Sequence, residues 1–226
     1  MKVTAINGSP KGENSNSREV ISIIRGMLDP AIELDVVSQI KQARHPDDSV
    51  FPAMAESDVL LIASSLFVDA LPASLMAFLE RYAKFLASLP PAARAKRQRV
   101  FAVVNCGFYE GRQNACALEI LAHYCAFAGL AWSGGVGIGT GEMISAVKNV
   151  PPQASIRKPV IRVIQDIADA IARNPDGALA SDEFEQHGIP WFLYKIMGEA
   201  GWRAQVKKNG LKAKDLFRRP LESAAR

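Results

Sequence analysis

The 226-residue chain reads as an α/β fold: a doubly wound, five-stranded parallel sheet of order 2-1-3-4-5, followed by a C-terminal helical appendage. Three observations predict it. Strand-length apolar runs alternate five times with segments of helical period. The runs DVLLIAS and RVFAVVN are apolar at nearly every position, as strands covered on both faces are. The first run stands at the start of the chain and breaks at once into a loop rich in Gly, Ser and Asn. That loop suits the point where the strand order reverses and where open parallel sheets bind ligands.

The elements follow in order. Residues 2–7 form the first strand. Residues 16–28 form a helix with Val20, Ile23, Ile24 and Met27 on one face. Residues 32–38 alternate as a second strand, a polar stretch 41–49 contains His45-Pro46, and a short helical turn lies around 52–56. The third strand is 58–64. A helix over 71–88 tolerates Pro72 in its first turn and closes at Leu89-Pro90-Pro91. Residues 99–105 are the fourth strand, 112–128 a helix ended by Gly129, and 131–139 a fifth strand thinned by glycine. The last core helix, 156–173, turns Val160, Val163, Ile164, Ile167 and Ile171 inward. Right-handed crossovers connect such units. Residues 1–173 thus form the expected core domain and 174–226 a helical, basic extension. Its segment IPWFLYKIMGEAGWR holds too many large side chains to stay in water, so it is expected to pack on the core or on a second subunit.

Composition excludes several classes. A hydrophobic content of 49% and a charged content of 22% are ordinary for a globular protein. No signal-peptide pattern occurs, and no apolar run approaches the ~20 residues of a membrane span, so a cytoplasmic protein is expected. The cysteines, Cys106, Cys116 and Cys125, make no C-x-x-C and no metal spacing with His45, His123 and His187. Cys116 and Cys125 read as small buried hydrophobes, Cys106 as a packing residue at a strand end, and His123 as structural within its helix. No metal site is expected. Neither G-x-S-x-G nor H-E-x-x-H occurs, which leaves serine-hydrolase and zinc-protease readings without support. The net charge of +4 is uneven: residues 203–219 carry +6 and the remainder −2. A solvated helical face is the plain reading of that basic stretch, and an anionic membrane surface or nucleic acid the sharper alternative; neither nucleic acid nor peripheral membrane contact is the expectation.

The segment KVTAINGSPKGENSNS reads as strand, polar loop and helix start. The free N–H groups of a first helical turn and the helix dipole favour an anion there. Ser9, Ser15 and Ser17 add hydroxyls, Asn16 an amide and Lys11 a charge, which suits a phosphate monoester. On spacing alone a well-capped turn accounts for the segment equally well. It is neither a Walker A loop nor a dinucleotide fingerprint. Two further segments follow strand ends and should meet it: SLFVDAL, residues 65–71, and CGFYEGR, residues 106–112. Phe67, Phe108 and Tyr109 beside Gly107 and Asp69 suit a flat, partly polar ring.

Together, NGSPKGENSNS, SLFVDALPASLMAFLER and VNCGFYEGRQN resemble the three ligand loops of flavodoxin-like NAD(P)H-dependent FMN reductases, over residues 2 to about 173. The stretch GGVGIGTGEMI is similar to a glycine-rich segment of some members. The resemblance implies that Ser9, Lys11, Ser15, Asn16 and Ser17 hold the FMN phosphate. It places Leu66, Phe67, Val68 and Asp69 along the ribityl chain and isoalloxazine, and Asn105, Gly107, Phe108, Tyr109 and Glu110 at the ring's polar edge. It implies hydride transfer from NAD(P)H, as co-substrate, to flavin N5, then electron delivery to a small acceptor such as a quinone or flavin. No catalytic residue is nominated. A homo-oligomer, dimer or tetramer, is implied, with residues 189–202 completing a partner's site or covering their own. The absence of clustered cysteines excludes the iron–sulfur branch, and Leu66-Phe67 replaces the Tyr-Trp or Tyr-Tyr of many members. A non-enzymatic FMN electron carrier or redox sensor remains the alternative.

Overall fold

Main-chain polar groups in an apolar run must find partners once buried, and side-by-side strands supply them. The computed structural model describes residues 1–90, 98–173 and 176–218. Strands β1 (Lys2–Asn7), β2 (Glu33–Ser38), β3 (Val59–Ser65), β4 (Arg99–Asn105), β5 (Ala131–Ile138) and β6 (Glu183–Glu185) make one sheet in the order 2-1-3-4-5-6. Every neighbouring pair is parallel, with Ala5 beside Val36 and Leu61, and Leu61 beside Phe101. The five-stranded expectation is corrected here: β6 pairs with β5 through Val136–Glu183, Gly137–Phe184 and Ile138–Glu185. The chain divides into compact units Met1–Gly188 and Ile189–Arg226, so the sheet-bearing unit runs past residue 173. Pro91 and Arg219, used in the sequence reading, lie outside the described residues.

Helices α1 (Asn16–Met27), α2 (Gln39–Arg44), α3 (Val50–Ala55), α4 (Ala73–Ser88), α5 (Ala115–Ala128), α6 (Glu142–Ala146) and α7 (Lys158–Ala172) join the strands. The polar stretch after β2 thus folds in part into α2. On one side of the sheet, Val20, Ile24, Val160, Val163, Ile164 and Ile167 pack on Val3, Ala5, Leu61 and Phe101. On the other, Phe78, Tyr82, Leu118 and Leu121 pack on Ile6, Leu60, Ile62 and Val104. This two-sided cover is why β3 and β4 are apolar throughout. Pro72 stands at the N-cap of α4, and Gly129 ends α5 in a left-handed conformation at φ 74°. Cys125 is buried as expected, whereas Cys116 is exposed, and His123 is exposed on the same helix. The apolar stripe of α5 is narrow, and Cys116 falls outside it.

Two buried polar side chains fix the end of the sheet away from the site. The Gln98 amide donates to the Met54 carbonyl and to that of Ser57 at 2.9 Å, while its oxygen accepts the Tyr82 hydroxyl at 2.7 Å. The Arg99 guanidinium donates to the carbonyls of Ala170, Gly177 and Ile171 at 3.1, 2.8 and 3.1 Å, capping α7 with positive charge.

In the second unit, helix α8 (Trp191–Lys208, 18 residues) contains no buried residue. A turn at Gly210, φ 72°, leads into a 3-10 turn, Ala213–Phe217. Within the single chain, Trp191 and Trp202 are 60% and 65% exposed. No described helix is long and apolar enough to cross a membrane.

Candidate functional site

From β1 the chain first adds β2 on one side and then β3 on the other. Crossover helices diverge at such a reversal and leave the carboxyl ends of the strands open. Here they border a cleft of about 390 Å3 lined by Ser9, Pro10, Lys11, Asn14, Asn16, Ser17, Ser65, Leu66, Phe67, Asn105, Cys106, Gly107, Gly141, Glu142 and Ser145.

The first wall is built by Asn7, which is fully buried at the end of β1. Its amide donates to the Gly12 carbonyl at 2.9 Å, and its oxygen accepts the Ser9 N–H at 3.2 Å. Gly12 supplies the left-handed turn, φ 64°. Ser15 then caps α1: its hydroxyl accepts the Arg18 N–H at 3.1 Å and donates to the Gly12 carbonyl at 2.6 Å. That hydroxyl is committed to the loop, so Ser15 does not line the cleft. The N–H groups of Asn16 and Ser17 open the helix and have no intrahelical acceptor. Glu13, the acid of this loop, is held by Arg18 at 2.9 Å.

The second wall is a two-residue hairpin. Phe67 and Ala70 exchange main-chain hydrogen bonds at 2.8 and 3.0 Å, and Val68 and Asp69 between them take φ 48° and 58°. Such a turn prefers Asn-Gly, and a β-branched residue there is strained. Val68 is 96% exposed at the tip, so tertiary packing of its side chain does not offset that cost; Phe67 is half-exposed and faces the cleft.

The third wall begins at Asn105, whose amide donates to the Ser64 carbonyl at 2.8 Å and the Ser17 hydroxyl at 3.2 Å. Cys106 is buried, and burial pushes its thiol pKa up, which keeps it protonated and suits a packing role. The loop then crosses the end of β5 so closely that a Cβ on Gly139 would lie 2.2 Å from the Tyr109 carbonyl. Phe108 is half-exposed.

A fourth segment, after β5, completes the cleft. Thr140, at φ 52°, donates its N–H to the Phe108 carbonyl at 2.6 Å, and Gly141 donates to Cys106 at 2.7 Å. The Thr140 hydroxyl accepts the His187 N–H at 3.0 Å and lies 2.9 Å from His187 Nδ1. Burial, with the charge of Arg157 nearby, pulls the His187 pKa down to about 4. The Ser145 hydroxyl donates to Asn16, tying α6 to the first wall.

Of the residues singled out by sequence, the fold brings Ser9, Lys11, Asn16, Ser17, Leu66, Phe67, Asn105 and Gly107 to one cavity. Ser15, Val68, Asp69, Phe108, Tyr109 and Glu110 are not among its lining residues; Ser15 is the cap, and the others stand on the loops around it. Pro10, Asn14, Ser65 and Cys106, on the predicted loops, and Gly141, Glu142 and Ser145, beyond them, line the cavity without being singled out by sequence as site residues. The signal for the last three was the glycine-rich run after β5, a strand end like the other three.

No protein-family model and no curated protein matches this chain. Solved structures do. An FMN-dependent NADH-azoreductase from Bacillus anthracis, in complex with FMN, is 11% identical at a TM-score of 0.53, covering 76% of this chain and 100% of its own. Smu.1420 from Streptococcus mutans is 10% identical at 0.54, covering 74% and 98%. A flavone reductase is 11% identical at 0.53, covering 80% and 66%. These likenesses, with the strand order, establish a flavodoxin-like fold.

The strained hairpin and the buried histidine each give an expected outcome. The double substitution Val68→Asn/Asp69→Gly should raise the unfolding free energy by about 1 kcal/mol; an unchanged or lower urea midpoint would show that the turn is unstrained. Between pH 6.5 and about 4 the unfolded chain protonates His187 while the folded chain does not. Its contribution is therefore full above pH 6.5 and lost as the pH falls toward 4, about 3 kcal/mol in all. His187→Gln should flatten that part of the profile, measured by urea midpoints across the window.

Proposed function

We propose that the cleft binds FMN and that the protein is an FMN-dependent oxidoreductase, taking hydride from NADH or NADPH and passing electrons to a small acceptor such as a quinone or flavin. The observation that carries this reading is the meeting, at the switch point of a flavodoxin-like sheet, of an anion-type loop with two loops bearing exposed aromatic residues. The donor set fits the cofactor. Toward the cleft the first wall presents hydroxyls, an amide, an ammonium group and first-turn N–H groups; Glu13 is turned to Arg18, and the lining carboxylate, Glu142, stands on the segment after β5.

In this reading Ser9, Lys11, Asn16 and Ser17 hold the phosphate, and Ser15 supports them by capping the helix. Leu66 and Phe67 border the ribityl chain and ring, with Val68 and Asp69 at the outer rim. Gly107, Phe108, Tyr109 and Glu110 stand beside the ring's polar edge, where main-chain N–H groups stabilise negative charge. FMN supplies the hydride-accepting and electron-donating chemistry when bound. The chain orients the ring and fixes the donors in advance through Asn7 and Asn105, so that little reorganisation is needed.

The test is an absorbance spectrum after incubation with FMN and desalting, then anaerobic addition of NADH or NADPH. A retained yellow chromophore that bleaches promptly is expected. Colour retained without bleaching would mark a carrier or sensor and overturn the enzyme reading, and no retained colour would overturn the flavin reading itself.

A further inference from the structure

The net positive charge of the protein is concentrated in the second unit. Residues 189–226 hold nine Lys or Arg against three Asp or Glu, and residues 1–188 hold eighteen against twenty. The same unit carries large apolar side chains that the described residues leave exposed. With 3.6 residues per turn, Trp191, Phe192, Ile196 and Trp202 fall within about 140° of one another around α8, with Lys195 and Arg203 on the same arc, while Leu193 and Met197, 41% and 46% exposed, lie outside it. The four apolar side chains on the arc are all more than half exposed. Lys195 sits over the Trp191 ring, 5.8 Å from its centroid. Beyond the helix, Leu211 and Phe217 are exposed among Lys212, Lys214 and Arg218.

We propose that this unit is a docking surface for an anionic lipid membrane, lying in the headgroup layer without crossing it. Indole and phenyl rings belong at the boundary between water and hydrocarbon, and Lys and Arg reach past them to anionic headgroups. Each cation near such a surface strengthens binding severalfold. The apolar and basic residues of the unit therefore answer one partner chemistry together. A second copy of the unit would bring like charges face to face. A nucleic acid would use the cations but would leave Ile196 and Leu211 with nothing apolar to cover them, since its affinity comes from phosphate contacts. The helix, at 18 residues with Lys195, Glu199 and Arg203 in its middle, is suited to lying on a bilayer and not to spanning it. The inference does not rest on the flavin reading, because flavin-free and flavin-loaded protein should dock alike.

The full chain is to be mixed with phosphatidylcholine vesicles, either pure or containing about 30% phosphatidylglycerol, and separated by flotation. Flotation with the anionic vesicles alone is expected, with a blue shift of tryptophan fluorescence and release as salt is raised to about 0.5 M. Lys195→Gln/Arg203→Gln, which removes the two cations on the apolar arc, should weaken partitioning roughly 30-fold. Phe192→Ser/Trp202→Ser should abolish the blue shift with the far-ultraviolet circular dichroism spectrum unchanged. Equal partitioning to both vesicle types, or none at low salt, would overturn the proposal. So would a stable dimer that Phe192→Ser/Trp202→Ser dissociates, or binding to duplex DNA without binding to vesicles.

Discussion

The side chain of Asn105 joins three separate pieces of chain at the floor of the cleft. From the end of β4 it donates to the Ser64 carbonyl on β3 and to the Ser17 hydroxyl on α1, while its own carbonyl receives the Leu66 N–H at 2.8 Å. A buried amide costs stability unless its hydrogen bonds are made. Those bonds therefore fix the height of α1 against the sheet and the departure of the β3 loop. Asn7 performs the same task within the first loop, and with both in place Ser9, Asn16 and Ser17 line the cleft together. The alignment is enforced by the requirement to satisfy buried polar groups, and it exists before any ligand arrives.

A framework satisfied in this way tolerates strain at its rim. Val68, Asp69 and Thr140, the described non-glycine residues at positive φ, all lie on loops around the cleft. Thr140 is held by His187, which stands at the end of the first unit and reaches the loop after β5. Such conformations persist where the surrounding structure over-determines them, and they cluster at functional sites. Cys106, by contrast, is buried with its thiol shifted toward the protonated state, and its sulfur accepts the Asn114 amide at 3.4 Å. Its chemistry is that of a packing group.

Much of this was legible in the sequence because the signals were local or periodic. The apolar runs of β1, β3 and β4 are buried on both faces, and the 3.6-residue repeat of α7 marks its inner face correctly. The strand β6 was not legible: Glu-Phe-Glu is too short to show a period, and it exists only because the edge of β5 offers main-chain partners. Ser15 illustrates a second limit. A serine before a helix can cap it or reach a ligand, and the choice depends on where Gly12 places its carbonyl. The placement of Glu142 and Ser145 at the cleft depends on α6 approaching α1, a contact between residues far apart in the chain. The exposure of α8 was hidden for the opposite reason, since apolar content suggests burial but names no partner.

Asn7 and Asn105 hold the first loop in the shape that the proposed phosphate socket requires. Isothermal titration of the flavin-free protein with FMN and with riboflavin isolates the contribution of the phosphate. Two or more charge-assisted hydrogen bonds should make FMN bind about 100-fold or more tightly than riboflavin. Equal affinities for the two flavins would contradict the account, because the socket would then contribute nothing.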